Sequence, residues 1–264
     1  MRKYIYVAAI IVSACTVKEN RSYCPAWCVV YSDGHVAEGC NGNLTCNIST
    51  AEDRSFRFGL EDYNSFTHKG DLVLEVPRNE EVYVDVLCGV DDMGMIGSVL
   101  KIPMGYCCDR IYSGHGRIFI SGEEGEAALP LNKDYALIMV KVDGDVEGEI
   151  PVGFRIRGNV DGYELPGGKP HRGEFDYMPK AEKDNVFRAR VPRQIDDSLV
   201  LEIFHTEDGS LVATRNLGQI IREMGYDWNA RDLGDIGIGV ELSRAAFDIV
   251  IKAWEVSEIT TVIF

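Results

Sequence analysis

Short runs in which apolar and polar side chains alternate recur along the chain at intervals of roughly ten residues, the rhythm of an antiparallel β-sandwich. Within residues 81–87, Val82, Val84 and Val86 share one face, and Tyr83 and Leu87 share the other around a single Asp85. That pattern predicts a strand buried on at least one face. Trp27, Val29 and Tyr31 alternate with Cys28 and Val30 in a short strand after Pro25, and residues 56–60, 72–76, 117–121, 126–131 and 135–142 continue the series. Gly34, Gly39, Gly42 and several Asn mark residues 32–50 as turns. Asp91-Asp92-Met93-Gly94-Met95 reads as another turn, its methionines as gap-fillers rather than a copper site.

The second half repeats the pattern. Val152, Phe154 and Ile156 alternate with Gly153, Arg155 and Arg157, which predicts a half-buried strand. Residues 165–170, Leu-Pro-Gly-Gly-Lys-Pro, read as a loop. Residues 199–204 and 211–214 form the best hairpin of the chain around Glu207-Asp208-Gly209-Ser210. One helix is predicted: Asn216 caps it, Leu217, Ile220, Ile221 and Met224 fall at helical spacing, and Gly225 stands at the left-handed stop. Residues 235–242 and 247–254 are the last long strands, followed by an apolar-rich tail. The expected fold class is therefore mostly β, with one short helix in the C-terminal domain.

The chain has 264 residues, which suits two domains of roughly 120 residues each. The sequence predicts a break at Asp143-Gly144-Asp145-Val146-Glu147, giving an N-terminal sandwich over 26–143 and a C-terminal one over 144–264. The acidic run lacks the twelve-residue ligand pattern of a calcium loop and reads as an interdomain turn.

The first residues change the picture. Arg2 and Lys3 precede an unbroken apolar run, 4–12, and Val12-Ser13-Ala14 closes it with small residues before Cys15. The run is too short to span a bilayer and reads as an export signal over 1–14. Cys15 is then the attachment point for acyl chains, with 15–25 as a lipidated leader. Removing the signal deletes two basic residues, so 27 basic and 42 acidic side chains become 25 and 42, a net charge of −17. Such a surface repels phosphate backbones and excludes nucleic acid as a natural partner. Of eight cysteines Cys15 is assigned to lipid, leaving an odd number, so at least one thiol stays free. Cys24, Cys28, Cys40 and Cys46 have irregular spacing for zinc, and an exported chain favours disulfides.

No catalytic constellation stands out. His35, His68, His115, His171 and His205 are scattered, and no nucleophile elbow or zinc-protease motif occurs. No cofactor is expected. A pair of carboxylates acting on a polysaccharide would find many candidates and no ranking among them. Trp27, Trp228 and Trp254 suit either core packing or a sugar-stacking platform.

Several motifs, taken together in order and spacing, carry a family likeness. They are the opening Cys15-Thr16-Val17-Lys18-Glu19-Asn20-Arg21-Ser22-Tyr23-Cys24-Pro25, the junction Leu131-Asn132-Lys133-Asp134-Tyr135-Ala136, and Arg155-Ile156-Arg157-Gly158-Asn159-Val160. They continue with Arg190-Val191-Pro192-Arg193, Asp197-Ser198-Leu199-Val200-Leu201, Leu217-Gly218, Gly225-Tyr226-Asp227-Trp228 and Asp235-Ile236, ending at Trp254. In these the chain resembles the FimB-type fimbrial anchor family of Bacteroidota. The resemblance implies two tandem transthyretin-like sandwiches and a lipoprotein held on the outer face of the outer membrane through its acyl chains. It implies a minor subunit that binds a fimbrial stalk subunit, attaches the fimbria and ends its growth.

In that pilus class a stalk subunit loses its first strand, and a neighbour's strand fills the groove. An anchor that keeps its own first strand terminates the polymer; here that strand is Ala26–Tyr31. The tail Ile259, Thr260, Thr261, Val262, Ile263 and Phe264 is the candidate exchanged strand, with the last strand of its own sandwich as the alternative. Arg21, Arg54 and Arg57 are candidate cleavage points. A surface glycan-binding lipoprotein is the competing reading from a different class.

Overall fold

The computed structural model describes residues 24–31, 44–50, 56–58, 67–68, 71–143, 151–242 and 249–254. The expected export signal, Cys15, Cys40, Arg21, Arg54 and the tail 259–264 lie outside the described residues.

In the N-terminal part, β1 (Ala26–Tyr31), β4 (Thr67–His68), β5 (Asp71–Val76) and β10 (Glu124–Ala128) form one sheet in the order β10-β1-β5-β4. β2 (Leu44–Thr50), β3 (Phe56–Phe58), β6 (Glu81–Cys88), β9 (Tyr112–Phe119) and β11 (Asn132–Lys133) form the second, in the order β11-β9-β6-β2-β3. Alternation dictates what lies between them. Ala26, Cys28 and Val30 from β1 meet Val82, Val84 and Val86 from β6, with Cys46, Ile48, Ile118 and Leu129 completing the core.

The C-terminal sandwich pairs a sheet of β15 (Val186–Pro192), β12 (Tyr135–Asp143), β18 (Ile236–Leu242) and β19 (Ile249–Trp254), in that order, with a larger one. The larger runs β17 (Leu211–Asn216), β16 (Val200–His205), β13 (Val152–Glu164), β8 (Val99–Lys101) and β7 (Gly94–Ile96), and β14 (Lys169–Tyr177) also pairs with β13. Its core holds Phe154, Ile156, Phe175, Leu199, Leu201, Ile203, Ile138 and Ile238. Phe154 and Phe187 meet edge to face at 4.6 Å. The chain therefore folds as two tandem β-sandwiches, largely antiparallel, with β1–β10 and β12–β18 as parallel pairs.

The predicted helix is present as α1 (Leu217–Glu223). The Asn216 side chain accepts from the Gln219 amide at 2.9 Å, and Gly225 takes φ +79°. Leu217 and Ile221 are buried, while Met224 at the C-terminal end stays 37 % exposed.

Several expectations are corrected. Residues 44–50 fall in a stretch read as turns, yet they form β2 and pair with β6 over seven positions. Thr45, Asn47 and Ser49 alternate there with Cys46 and Ile48, so the polar residues mask a true period of two. Gly94 and Met95, read as the end of a turn, instead open β7 (Gly94–Ile96) of the β7–β8 hairpin, whose β8 joins β13. The loop read at 165–170 is shorter than expected, because Lys169 and Pro170 already belong to β14. Most consequential, β12 does not complete the N-terminal half. It pairs with β15 and β18 in the C-terminal sheet, so the sheets do not divide at 143/144; the chain lends β7 and β8 to the C-terminal sandwich, returns for β9 to β11, and crosses again at Asp134, between β11 and β12.

Candidate functional site

Two features stand out: the seat of the first strand, and the polar joint where the two sandwiches meet. β1 occupies the middle of its sheet. On one side Ala26, Trp27, Cys28, Val29 and Val30 pair antiparallel with Val76, Glu75, Leu74, Val73 and Leu72. On the other, Trp27 to Tyr31 run parallel to Glu124 to Ala128. At the strand's entry the Trp27 amide donates to Glu123 O at 2.9 Å, and Arg78 Nη2 donates to Pro25 O at 3.2 Å. Every second side chain of β1 is inserted into the core: Ala26 and Cys28 are fully buried and Val30 nearly so. Trp27 faces out and is 46 % exposed.

The β1 seat has the character of an apolar slot with hydrogen-bonding walls. Withdrawing β1 would leave β5 and β10 with rows of unpaired backbone groups and would uncover the apolar face beneath, the condition that invites strand addition. Burial pushes the Cys28 thiol up to about 11. The Cys46 thiol, beneath the same sheet, is pushed up to about 12, by burial first and then by Asp85 and Cys28.

The second feature starts at Asp85, the lone acid of β6, which is 1 % exposed on the face turned away from the N-terminal core. Asn47 Nδ2 donates to its Oδ2 at 3.0 Å, His115 Nδ1 lies 2.8 Å from its Oδ1, and the Gly167 amide donates to the same oxygen at 2.8 Å. His115 Nε2 lies 2.7 Å from Ser113 Oγ, and Ser113 donates in turn to Asp134. Gly168 in the β13–β14 turn, at φ +62°, presses on the imidazole: a Cβ there would stand 2.0 Å from His115 Nε2. Only glycine fits.

From Asp134 the network passes into the C-terminal sandwich. Arg193 Nε and Nη2 both donate to Asp134 Oδ1, at 3.0 and 2.8 Å. Its Nη1 donates to the carbonyls of Trp228 and Ala230 at 2.6 and 2.7 Å, and Nη2 to that of Arg231 at 3.2 Å. The buried Tyr163 hydroxyl donates to Asp134 O and accepts from the Arg193 amide; burial first, with nearby Cys108 and Asp134, raises this phenol well above the ordinary range. Alongside, Lys133 Nζ meets Asp235 at 2.5 Å.

Ser113, His115 and Asp85 stand in the order of a hydrolytic relay, yet Ser113 is 3 % exposed and its hydroxyl is committed to Asp134. A nucleophile must reach substrate and needs an aligned oxyanion site beside it. The arrangement acts as a brace between domains. The sequence carried one signal for it, since a single Asp in an otherwise apolar strand must find partners once buried.

The remaining predicted residues separate. Trp27 lies on the N-terminal sandwich, while Trp228 packs on Tyr226 at 4.8 Å beside the C-terminal core, so these two do not make one platform. Cys88 is disulfide-bonded, and Cys24, Cys28, Cys46, Cys107 and Cys108 are free. Among the described residues no group of three or more His, Cys, Asp or Glu is placed to hold a metal, and no helix is long and apolar enough to cross a membrane. Cys15 and 259–264 lie outside the described residues.

No protein-family model matches the sequence, and no curated protein matches it. Solved structures do. The fold is similar to that of a candidate adhesin from Bacteroides ovatus, with a TM-score of 0.63 and 11 % identity over 88 % of this chain and 95 % of that one. It is similar to the fimbrial anchor protein Mfa2 from Porphyromonas gingivalis, with a TM-score of 0.61 and 14 % identity over 88 % of this chain and 98 % of that one. A candidate polysaccharide-binding protein from Bacteroides thetaiotaomicron gives 0.62 and 12 % over 89 % and 99 %. At such identities the likeness establishes a common fold along nearly the whole length, the tandem sandwich.

Proposed function

We propose that the chain is a lipid-anchored minor subunit of a fimbria, one that fastens the fibre to the outer membrane and ends its assembly. The observation that carries this reading is the seating of β1: central in its sheet, paired on both sides, with Ala26, Cys28 and Val30 in the core. A subunit that propagates a strand-exchange polymer must offer an open groove. This one fills its N-terminal groove with its own strand, so the place between β5 and β10 that an incoming donor would take is occupied. The similarity in fold to a fimbrial anchor protein and to a candidate adhesin supports the same reading.

The other parts follow from it. Cys15 carries the acyl chains, and only a short leader separates it from β1, so the plugged sandwich sits next to the membrane. Polymer contact then falls to the C-terminal end, where residues 259–264 are the candidate strand for exchange with a stalk subunit. The joint at Asp134 and Arg193 gives the two sandwiches the stiffness that a load-bearing anchor requires. The buried relay is braced, and the protein works by holding edges rather than by turning over a substrate.

The test uses the full chain in its native host. Metabolic labelling with an alkynyl fatty acid should tag the protein and be lost in Cys15→Ala. The wild-type protein should co-purify with a fimbrial stalk subunit, and cells lacking it should shed fibres or carry overlong ones. Normal fibre length and attachment in its absence would reject the anchoring role.

A further inference from the structure

A cavity of about 130 Å³ lies where the two sandwiches adjoin, with β2 and the end of β6 on one side and β7, β8 and the residue after β13 on the other. Leu87, Met93, Leu100 and Leu165 wall it, each at most 6 % exposed. Thr45, Val90 and Met95 are only half-buried and mark its mouth. Asn47, the other polar lining residue, is committed to Asp85. Close-packed interiors keep few voids larger than a water, and each costs stability. The volume falls a little below the roughly 150 Å³ of a dry cavity that admits benzene, so it suits one branched aliphatic group and excludes an indole.

The mouth stands beside an open strand edge. β7 ends its sheet and, among the described residues, pairs with β8 alone. The space along it is clear: a Cβ built on Gly94 or Gly97 would meet nothing within 4 Å. Cross-strand partners share a face, so Tyr163, Leu100 and Met95 form one row across β13, β8 and β7. The last two of that row line the cavity. A residue set opposite Met95 by a strand added to β7 would continue the row and point at the mouth. Ile96, one residue on, faces the other way and is 66 % exposed, an apolar contact for the added strand's other face. The turn that forms the mouth is fixed, because the buried Asp109 carboxylate accepts the amides of Asp91, Asp92 and Met93 at 2.8, 2.9 and 2.8 Å. The side chains of Asp91 and Asp92 are left exposed next to Val90, two negative charges at the rim.

From this juxtaposition we infer that the β7 edge and the cavity together form a docking site for an extended segment of another polypeptide, which adds as a strand and seats one Val, Leu or Ile in the cavity with a Lys or Arg on the same face beside it. Strand addition draws affinity from main-chain hydrogen bonds and specificity from pockets for alternate side chains. β7 is three residues long, so its hydrogen bonds are few and the seated side chain decides the binding. Charge selects the occupant: Asp91 and Asp92 favour a basic segment, whereas the chain's own tail, 259–264, carries no base. The site is separate from the β1 groove and goes beyond the anchoring role. Fatty-acid labelling and fibre length read that role; peptide binding reads this edge.

The full chain, isotope-labelled at its methionine methyls, is titrated by NMR with the capped peptide Lys-Thr-Leu-Thr-Lys and with versions that carry Val, Ile, Ala or Trp at the centre or Glu in place of Lys. At least one of the Leu, Val and Ile peptides should bind in the micromolar to low-millimolar range and shift the Met93 and Met95 methyl signals. Ala at the centre should weaken binding about tenfold or more, through the lost burial of two or three carbons. Trp at the centre, or Glu for Lys, should weaken it too. Backbone N-methylation at alternate residues should abolish binding in one phase and spare it in the other, the mark of an added strand. Met95→Phe narrows the mouth at a half-buried position; it should lower affinity about tenfold while the melting temperature holds. No aliphatic peptide bound below about 10 mM, an Ala peptide that binds as well, N-methylation without effect in both phases, or tighter binding of the tail peptide Ile-Thr-Thr-Val-Ile-Phe would each overturn the assignment.

Discussion

Replacing Val30 with Asp should unfold the N-terminal sandwich or drive β1 out of it, with a loss of about 4 kcal/mol or more of stability. Val30 is 3 % exposed and belongs to the core cluster of Val82, Val84 and Leu129, which holds no cation among the described residues to pair a carboxylate. The substitution removes about 1.5 kcal/mol or more of apolar burial and adds an ion that cannot be solvated. The control lies three residues earlier. Trp27 points outward between Glu75 and Glu124 on the two neighbouring strands, so Trp27→Lys should change stability by about 0.5 kcal/mol or less. Chemical denaturation of both variants measures the contrast. Equal damage from the two would mean that β1 is not seated with Val30 inward. The released form of Val30→Asp should also aggregate, or accept strand peptides that the wild type ignores, because β5 and β10 then present open edges.

The second large effect is at the joint. Arg193→Ala should lower stability by about 3–5 kcal/mol, because it strands the Asp134 carboxylate and three backbone carbonyls in a largely buried site. The Arg193 and Asp134 side chains are only 17 % and 11 % exposed. Arg193→Lys should recover only part of the loss, since an ammonium cannot make the fork that reaches Asp134 and the Trp228 and Ala230 carbonyls together. In a thermal melt the Ala variant should fall by roughly 2–4 °C per kcal/mol for a chain of this size. A double-mutant cycle with Asp134→Ala should give a coupling of about 1 kcal/mol or more. A cycle that sums to zero would show the contact to be incidental.

Much of this architecture is legible in the chain because alternation is a local property. The valines of β6, the β13 pattern of Val152, Phe154 and Ile156, and the Asn216 cap of α1 are each set by neighbours within a few residues. What alternation cannot supply is the identity of the strand next door. β12 reads clearly as a strand, but nothing in its own residues says that its partners are Arg188–Pro192 and Ile236–Glu241 rather than the sheet just completed. β14 is hidden for another reason: Arg172, Glu174 and Asp176 occupy its outward positions, and of its inward ones only Phe175 is a large buried apolar residue. Four of the motifs that carry the family likeness, those at 131–136, 190–193, 225–228 and 235–236, meet at the joint. Lys133, Asp134, Arg193, Trp228 and Asp235 come together in space although they are up to 102 residues apart in the chain.

The most direct measurement of the central claim is thiol protection on the native, full-length protein in the presence of excess peptide from a stalk donor strand. Cys24 is exposed just ahead of β1, whereas Cys28 within it is fully buried, with its thiol raised to about 11. Brief treatment with N-ethylmaleimide at neutral pH, followed by mass spectrometry, should label Cys24 and leave Cys28 and Cys46 unmodified, with or without the peptide. Labelling of Cys28 at a rate comparable to Cys24, or its appearance on adding the peptide, would show that the first strand leaves its groove and would contradict the account.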